Sequence, residues 1–278
     1  MNVLRFAKRL PVHWNRERDY QERSRLGLGH DTICYDANIR FRCPNDALIL
    51  ALFQGFVFEE RPRREARDFI GFSQGCTAFL DAGASAGIMS ILFAVSRQKG
   101  SILSVEPEPR SLRLLEESRS LNAKPGIGWT IAPYVVSDRD GEATIDVSGL
   151  GATVSGVQDA AGFAQRRVSS RSLPSLCLEF SFRPDIIKLD VESYEHEAIA
   201  GSRELLGDLK PRIHLEHHAE MLRKRGCDPL QSLRTLYDLG YADLRMGRDF
   251  PAWVRAASSP LPGGHLPTTN FLLFQPGK

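Results

Sequence analysis

Apolar residues in this chain form short runs, and between the runs they recur every three or four positions. Short runs are typical of strands buried on both faces, and the wider spacing is typical of helices. Strands that alternate with helices predict an α/β domain with a mostly parallel seven-stranded sheet and helices on both faces. The runs that carry this prediction are Ala78–Leu80, Ile102–Val105, Ile186–Val191 and Ile213–Leu215.

The residues before the first run predict a cap region. Asn38–Arg42 alternates between polar and apolar residues, as a half-buried strand does. Leu48–Phe58 predicts a helix that leads into a short extended piece, and Arg61–Phe72 predicts a second helix. These elements either form a substrate lid or cover an edge of the sheet. We therefore expect an N-terminal extension with cap elements over residues 1–76 and the main domain over residues 77–278.

Later parts of the chain continue the alternation. Thr130–Val136 predicts a strand in which Pro133 marks an edge or an irregular position. Ala143–Val147 is expected to return from it as a hairpin, and Gly149–Gly162 to form a flexible loop rich in small residues. The remaining predicted elements are helices at Leu112–Leu121, Leu173–Glu179, Glu195–Lys210 and Pro229–Gly240, and strands at Tyr241–Met246 and Asn270–Gln275.

Composition narrows the class of protein. The chain is 42% hydrophobic and 25% charged, which is typical of a globular domain with a real core. A net charge of +2 does not indicate a nucleic-acid partner, and the apolar runs are too short for stable membrane insertion. The five cysteines are scattered without a C-x-x-C pair, so we expect neither a disulfide framework nor a zinc site, and we expect a cytoplasmic protein.

A loop of small residues follows the first run, between Asp81 and a helix that begins near Ile88. Gly83 and Gly87 let the backbone approach a ligand where a Cβ would intrude, and Ser85 is suited to capping the helix. Strand, glycine turn and helix together place a nucleotide-like ligand against backbone N–H groups. A plain tight turn between a strand and a helix has the same pattern.

The spacing of the two glycines separates two kinds of nucleotide ligand. A dinucleotide fingerprint reads G-x-G-x-x-G, and its middle glycine lets a pyrophosphate approach. Ser85 stands where that glycine would be. The loop therefore favours a ligand without a pyrophosphate, such as S-adenosylmethionine, over NAD.

Acidic residues follow two further strands. Glu106 closes the second strand, where a carboxylate can accept hydrogen bonds from both hydroxyls of a ribose. Asp138 lies just past the third strand, where it either meets an adenine amino group or is only a turn residue.

The strongest later signal is the strand over Ile186–Val191, in which Lys188 and Asp190 lie on one side of the sheet. They form either a structural ion pair or part of a cleft at the carboxyl ends of the strands. Glu192 follows this strand and His217 follows the next, and a histidine there can act as a general base. Asp190 and Glu216 offer carboxylates to a metal, but no spacing typical of a metal site supports one, so none is predicted.

Several segments together resemble the FkbM-type methyltransferases. They follow the family's order over about residues 38 to 275, which is more specific than any one short motif. The segments are Phe79–Gly87, Val105–Pro107, Val136–Asp138, Ile187–Glu192, Glu195 with Gly201, Pro211–Glu216 and Asn270–Phe274.

The resemblance implies a class I, Rossmann-like fold and S-adenosylmethionine as cofactor. The reaction it implies is methyl transfer to a hydroxyl oxygen of a sugar, lipid or secondary metabolite, and residues 77–278 are then the methyltransferase domain. The acceptor hydroxyl must lose its proton, for which Glu192 or His217 is expected, with Asp190 next. The residues expected to hold the cofactor are Asp81, Gly83, Ala84, Ser85 and Gly87, with Glu106 at its ribose and Asp138 at its adenine.

Two residues depart from the family pattern. Ser85 stands where the family usually has Asn, and Ser193 stands where it usually has Gly. These departures keep open a cofactor-binding module that has lost turnover, and a NAD-type oxidoreductase is the other alternative. The expected partner is a small-molecule or glycan acceptor, and the sequence predicts no oligomeric state.

Overall fold

The structure of the chain is a computed structural model that describes residues 32–35, 38–148, 151–154, 164–244, 254 and 271–277. Residues 1–31 of the predicted extension and most of the predicted loop Gly149–Gly162 lie outside the described residues. The strands are β1 Thr32–Cys34, β2 Arg40–Arg42, β3 Ala78–Ala82, β4 Gly100–Val105, β5 Ile127–Ala132, β6 Val135–Val136, β7 Gly141–Ser148, β8 Gly151–Val154, β9 Ala164–Arg171, β10 Ile186–Leu189, β11 Arg212–Glu216, β12 Tyr241–Asp243 and β13 Phe271–Pro276. The helices are α1 Ala47–Phe58, α2 Glu60–Phe72, α3 Ile88–Val95, α4 Pro109–Asn122, α5 Leu173–Glu179, α6 Glu195–Ala200, α7 Arg203–Leu209, α8 Ala219–Lys224 and α9 Gln231–Asp238.

The larger sheet has seven strands over the described residues, in the order β12-β13-β11-β10-β3-β4-β5. Neighbours from β11 to β5 are parallel, and β13 runs antiparallel to β11 and β12. The predicted α/β class with a mostly parallel seven-stranded sheet is therefore confirmed. The chain goes from β3 to β4 and β5, then returns to β10 on the other side of β3. Ligands bind beyond the carboxyl ends of the strands where the order reverses in this way.

Helices cover both faces of this sheet, as predicted, because side chains alternate between the faces along each strand. On one face, Phe79 of β3 packs against Phe69 of α2 and Phe93 of α3, with ring centroids 5.1 and 5.0 Å apart. On the other face, Leu80 belongs to a buried apolar cluster with Leu206 of α7. The polar residues considered below lie past the ends of strands that these two cores hold in place.

The two helices predicted before the first core strand are confirmed as α1 and α2. Asp46 begins α1 by accepting hydrogen bonds from the backbone N–H groups of Leu48 and Ile49. The short extended piece predicted between the helices is the single residue Glu59, with φ −99° and ψ 131°. Phe69 is fully buried in the core, so these contacts favour a covering role over a lid.

A second sheet, which the sequence did not predict, has the order β6-β9-β7-β8 among the described residues. The predicted strand Thr130–Val136 is broken at Pro133, which has no N–H to donate, so β5 stays in the larger sheet and β6 joins the second. The predicted hairpin partner of Ala143–Val147 is wrong, because β7 pairs antiparallel with β9 and β8. β8 lies within the predicted loop Gly149–Gly162, so that prediction is also corrected.

The helix predicted over Glu195–Lys210 is two helices, α6 and α7, which are separated at Gly201. A Cβ on this glycine would lie 2.3 Å from the carbonyl oxygen of Asp138, so the close approach requires glycine. The predicted helix Pro229–Gly240 and the last two strands are confirmed as α9, β12 and β13. In the part of the chain that the structure describes, no helix has both the length and the apolar character needed to cross a membrane.

Candidate active site

The loop Gly83–Gly87 packs against the backbone that follows β10. Gly83 has φ +76°, and a Cβ placed on it would lie 1.8 Å from the carbonyl oxygen of Asp190. Gly83 is therefore required by a contact inside the protein, and its approach to a ligand stays a prediction. Gly87, with φ +89°, begins α3 without a side-chain cap, so Ser85 does not cap this helix.

Four of the five backbone N–H groups of the loop are already engaged within the protein. Those of Gly83 and Ala84 donate to the carbonyl of Val105 at 2.9 and 3.0 Å. The N–H of Ser85 donates to Glu106 Oε2 at 2.8 Å, and that of Gly87 donates to the Ala84 carbonyl at 2.8 Å. The expectation that these amides cradle a ligand is thus corrected. A pyrophosphate would find none of these four donors free.

Asp81 lies inside the fold rather than on the surface of the loop. Its side chain is 1% exposed, and Oδ2 accepts a hydrogen bond from Ser90 Oγ at 2.5 Å. Oδ1 lies 3.7 Å from Lys188 Nζ. Burial raises the pKa of the Asp81 carboxyl, an effect that Lys188 and Ser90 oppose. These contacts give Asp81 a structural role at the end of β3, and its contact with a cofactor stays a prediction.

Glu106 is a buried carboxylate at the end of β4 that faces the loop. Oε2 accepts the N–H of Ser85 at 2.8 Å, and Oε1 accepts the N–H of Glu108 at 2.9 Å. Burial raises the pKa of Glu106 to about 7, although both hydrogen bonds act in the opposite direction. A carboxylate can accept about four hydrogen bonds, so about two positions remain for hydroxyl groups of a ligand. Glu106 therefore fits the predicted contact with a ribose.

Asp138 lies after β6, beside the second sheet. Its carboxylate accepts a hydrogen bond from Ser137 Oγ at 3.0 Å, and its backbone packs closely against Gly201. Both contacts are local or structural. The adenine contact of Asp138 stays a prediction.

Lys188 and Asp190 form the predicted ion pair, with 2.9 Å between Nζ and Asp190 Oδ2. Nζ also donates to the carbonyl of Gly83 at 3.0 Å, so the pair joins the end of β10 to the glycine loop. Burial lowers the pKa of Lys188, but the charges of Asp190 and Asp81 outweigh it, so the pKa lies above its usual value. Burial raises the pKa of Asp190, but Lys188 and His218 outweigh it, so the pKa lies below its usual value.

The turn after Asp190 is held in an unusual conformation. Glu192 and Ser193 have φ +50° and +78°, in the left-handed region that favours glycine. The buried carboxylate of Glu195 stabilises the turn, since its Oε1 accepts the N–H groups of Val191 at 3.3 Å and Ser193 at 3.0 Å. Ser193 Oγ is buried without a hydrogen-bond partner among the described residues. This conformation gives a physical reason for the glycine that the family usually has at this position.

The two adjacent histidines after β11 point in different directions. His217 is 3% exposed, its Nε2 lies 2.7 Å from the Pro229 carbonyl, and burial lowers its pKa. The expectation of His217 as general base is corrected, because its ring is held away from the strand ends. His218 takes that position, with Nδ1 2.8 Å from Glu195 Oε1. Burial lowers the pKa of His218, but Glu195 and the neighbouring carboxylates raise it to about 10.

Four side chains form what we call the rim cluster: Asp190, Glu192, Glu216 and His218. His218 Nε2 lies 3.9 Å from Asp190 Oδ1, 3.8 Å from Glu192 Oε2 and 3.7 Å from Glu216 Oε1. Burial raises the pKa of Glu192 and that of Glu216, and the negative charge of Asp190 adds to both increases. Asp190, Glu192 and His218 together offer ligand atoms at a spacing that can hold a metal ion.

The sequence prediction missed His218, although a signal for it exists. Side chains alternate along a strand, and His214 of β11 is the register partner of Lys188 on β10. Continuing this alternation past the strand end places Glu216 and His218 on the side of Lys188, and His217 on the opposite side. The period of the strand therefore distinguishes the two histidines.

Comparison with known families identifies the family to which the chain belongs. The family described as the methyltransferase FkbM domain matches residues 81–242, which is more than half of the 278 residues. The chain belongs to the FkbM methyltransferase family. The resemblance proposed from the sequence is thus confirmed. The FkbM match begins at Asp81 and ends at Ala242, so it includes the glycine loop, Glu106 and the rim cluster.

Solved structures with similar folds include further methyltransferases. Methyltransferase FkbM from Methylobacillus flagellatus KT is 15% identical with a TM-score of 0.45, and the match covers 82% of this chain and 54% of that one. Precorrin-6y C5,15-methyltransferase from Geobacter metallireducens GS-15 is 13% identical with a TM-score of 0.40, over 75% and 85% of the two chains. This FkbM-family chain therefore spans about half the length of the first structure. No protein with a curated description matches it in sequence, and the assignment rests on the family match.

Proposed function

We propose that the chain is an S-adenosylmethionine-dependent methyltransferase that acts on a hydroxyl oxygen of a small-molecule or glycan acceptor. The observation that carries the proposal is the buried carboxylate of Glu106 beside the glycine loop. With Oε1 and Oε2 each accepting one backbone N–H, the carboxylate has its orientation fixed and keeps capacity for two ribose hydroxyls. This arrangement suits the ribose of a nucleoside, a group that S-adenosylmethionine and NAD share, so the loop amides must distinguish the two.

The engaged loop amides argue against the NAD-type alternative. Dinucleotide sites bind the pyrophosphate through free backbone N–H groups at a helix N-terminus. Here four amides of the loop Gly83–Gly87 donate to Val105, Glu106 and Ala84. A positively charged sulfonium ligand needs no such donors, so their engagement supports S-adenosylmethionine.

The acceptor is proposed to bind over the rim cluster. S-adenosylmethionine supplies a methyl group that already carries its leaving group. The acceptor oxygen gains this methyl group and loses its proton, which the Glu192 carboxylate takes up. The Glu192 side chain is 42% exposed, whereas that of His218 is 6% exposed, so Glu192 is the better placed to meet an acceptor. Correct alignment of the two substrates and a positioned base are the main contributions of the protein.

Calorimetry with S-adenosylmethionine and with NAD tests the cofactor assignment. We expect S-adenosylmethionine to bind and NAD not to bind, and absence of S-adenosylmethionine binding would overturn the proposal. The acceptor is then sought by mass spectrometry of a strain that lacks the protein, as a metabolite without one methyl group. A protein that binds the cofactor but whose loss removes no methyl group supports the alternative of a binding module without turnover.

A further inference from the structure

The distances from His218 Nε2 to the three carboxylates of the rim cluster are longer than hydrogen bonds. His218 Nε2 faces one oxygen each of Asp190, Glu192 and Glu216 at 3.7–3.9 Å. Hydrogen bonds between nitrogen and oxygen have lengths of about 2.7–3.2 Å. One oxygen of each of the three carboxylates thus lies near the ring nitrogen without direct contact with it.

His218 gives a separate observation that points to a ligand. Its side chain is 6% exposed, and Nε2 has no hydrogen-bond partner among the residues that the structure describes. The other ring nitrogen, Nδ1, lies 2.8 Å from the buried carboxylate of Glu195, which fixes the orientation of the ring. A histidine that binds a metal ion usually donates its second N–H to a carboxylate in this way. The ring is therefore oriented as a metal ligand requires.

Lys188 engages only one of the two carboxylate oxygens of Asp190. Asp190 uses Oδ2 for Lys188 at 2.9 Å, while its other oxygen, Oδ1, is the one that faces His218. The lysine also donates to the Gly83 carbonyl, on the side of the glycine loop. Asp190 thus has one oxygen for the ion pair and one for the cluster.

We infer that the rim cluster binds a divalent cation of the Mn²⁺ type. The ligand atoms of Asp190, Glu192 and His218 all lie within 4.8 Å of one another. Metal–ligand bonds of about 2.0–2.6 Å place opposite ligands about 4–5 Å apart, so one ion spans these atoms. Carboxylates suit Mg²⁺ and Mn²⁺, and imidazole suits later transition metals, so a mixed set favours Mn²⁺.

The cation deepens the proposed function and rests on it for its role in catalysis. A bound divalent ion lowers the pKa of an oxygen that coordinates it, as it does for water. An acceptor hydroxyl bound to the ion would therefore lose its proton more readily. A carboxylate that binds through one oxygen keeps the other, so Glu192 can serve as both ligand and base. The acceptor class this favours has two neighbouring oxygens, such as a vicinal diol, because two oxygens can chelate one ion.

Binding of Mn²⁺ to the full chain tests the inference without any acceptor. After treatment with a chelator and its removal, we expect one Mn²⁺ per chain by calorimetry and loss of the free-ion signal in electron paramagnetic resonance. Asp190→Asn and His218→Gln should each weaken this binding at least tenfold, and Glu195→Gln by about 10–100-fold through the orientation of His218. The matched control is His217→Gln, which should bind Mn²⁺ like the unchanged protein. His196→Gln on α6 serves as control if His217→Gln fails to fold.

Two results would overturn the inference: no Mn²⁺ binding, or equal binding by the unchanged protein, Asp190→Asn and His218→Gln. Calorimetry with S-adenosylmethionine on the same samples keeps the two proposals separate. If Mn²⁺ binds and S-adenosylmethionine does not, the cation site stands and the proposed function fails. If S-adenosylmethionine binds and Mn²⁺ does not, the cation site alone fails.

Discussion

The two halves of the rim at the carboxyl ends of the strands differ in how their polar groups are satisfied. On the side of β3 and β4, the loop amides donate to Val105 and Glu106, and the Glu106 carboxylate accepts the N–H of Ser85 from the loop and that of Glu108. On the side of β10 and β11, His218 and three carboxylates face each other at 3.7–3.9 Å. The first half has most of its loop amides engaged and keeps acceptor capacity on Glu106, and the second half holds His218 Nε2 and its carboxylates at distances longer than a hydrogen bond.

This difference teaches how one rim serves two ligands. A half whose amides are engaged has a fixed shape and recognises uncharged groups such as hydroxyls. A half with several carboxylates near one another attracts a cation or a group that gives up a proton, because like charges in a partly buried site destabilise each other. The first half thus suits a cofactor and the second suits chemistry, and each prediction below changes one half or the contact between them.

The largest expected effect comes from Gly83→Val, which disrupts the contact between the halves. A side chain here would meet the Asp190 carbonyl at 1.8 Å in a backbone conformation that valine rarely adopts. We expect loss of cofactor binding and a fall in stability of more than about 4 kcal/mol, measured by calorimetry and denaturation. Gly128→Val on β5 is the control, since nothing lies within 4 Å of its Cβ position. A Gly83→Val protein with unchanged stability would show that the two halves do not touch.

Glu192→Gln should affect only the second half. It removes the proposed base, so single-turnover methyl transfer should slow by about 10²–10⁴-fold. Affinity for S-adenosylmethionine should stay within a few-fold of the unchanged protein. His217→Ala is the control and should keep the normal rate, since its ring is held at Pro229. Normal turnover in Glu192→Gln would move the base to Asp190.

Glu106→Gln tests the first half through pH. Because the pKa of Glu106 is about 7 in the free protein, the carboxylate is charged above that pH and protonated below it. Affinity for S-adenosylmethionine should therefore fall as pH falls through about 7, by up to about tenfold per pH unit. Glu106→Gln should bind more weakly at pH 8 by about 1.5–3 kcal/mol per lost hydrogen bond and show no such pH dependence. Glu116→Gln on the surface of α4 is the control and should keep the pH dependence. If the affinity of the unchanged protein for S-adenosylmethionine does not depend on pH, the ribose contact of Glu106 is contradicted.

The smallest expected effect, and one of opposite sign, is that of Ser193→Gly. Serine at φ +78° is strained, and its buried Oγ has no hydrogen-bond partner among the described residues. Removing the strain should stabilise the protein by about 1 kcal/mol after the entropy of glycine is subtracted, seen as a higher melting temperature. Ser202→Gly is the control and should lower the melting temperature, because it removes a buried hydroxyl that donates to the Ala198 carbonyl at 2.6 Å. A lower melting temperature for Ser193→Gly would show that the turn is not strained.

The sequence alone predicted the features that lie at the ends of readable strands. Glu106 and the Lys188–Asp190 pair follow or interrupt clear apolar runs, so their place on the rim could be deduced. The engagement of the loop amides could not be deduced, because it depends on the Val105 carbonyl of a neighbouring strand. The role of Gly83 depends likewise on Asp190, more than a hundred residues later in the chain.

The second sheet was missed for a related reason. Its central pair joins β7 to β9, whose residues are polar at many positions and do not form an apolar run. Pro133 ends one strand and the next begins two residues later, so the two read as a single strand in the sequence. Pairing between distant, partly exposed strands leaves little periodic signal.

The contact between Gly83 and the Asp190 backbone has a thermodynamic consequence. A ligand that moves the glycine loop towards β10 must also move the carboxylate of Asp190, because no space separates their backbones. Binding of the cofactor and binding of the cation are then coupled. If the cofactor changes the affinity for the cation by some factor, the cation changes the affinity for the cofactor by the same factor. Measuring Mn²⁺ affinity with and without S-adenosylmethionine, and the converse, should give one and the same ratio, and the logarithm of that ratio gives the coupling free energy between the two sites.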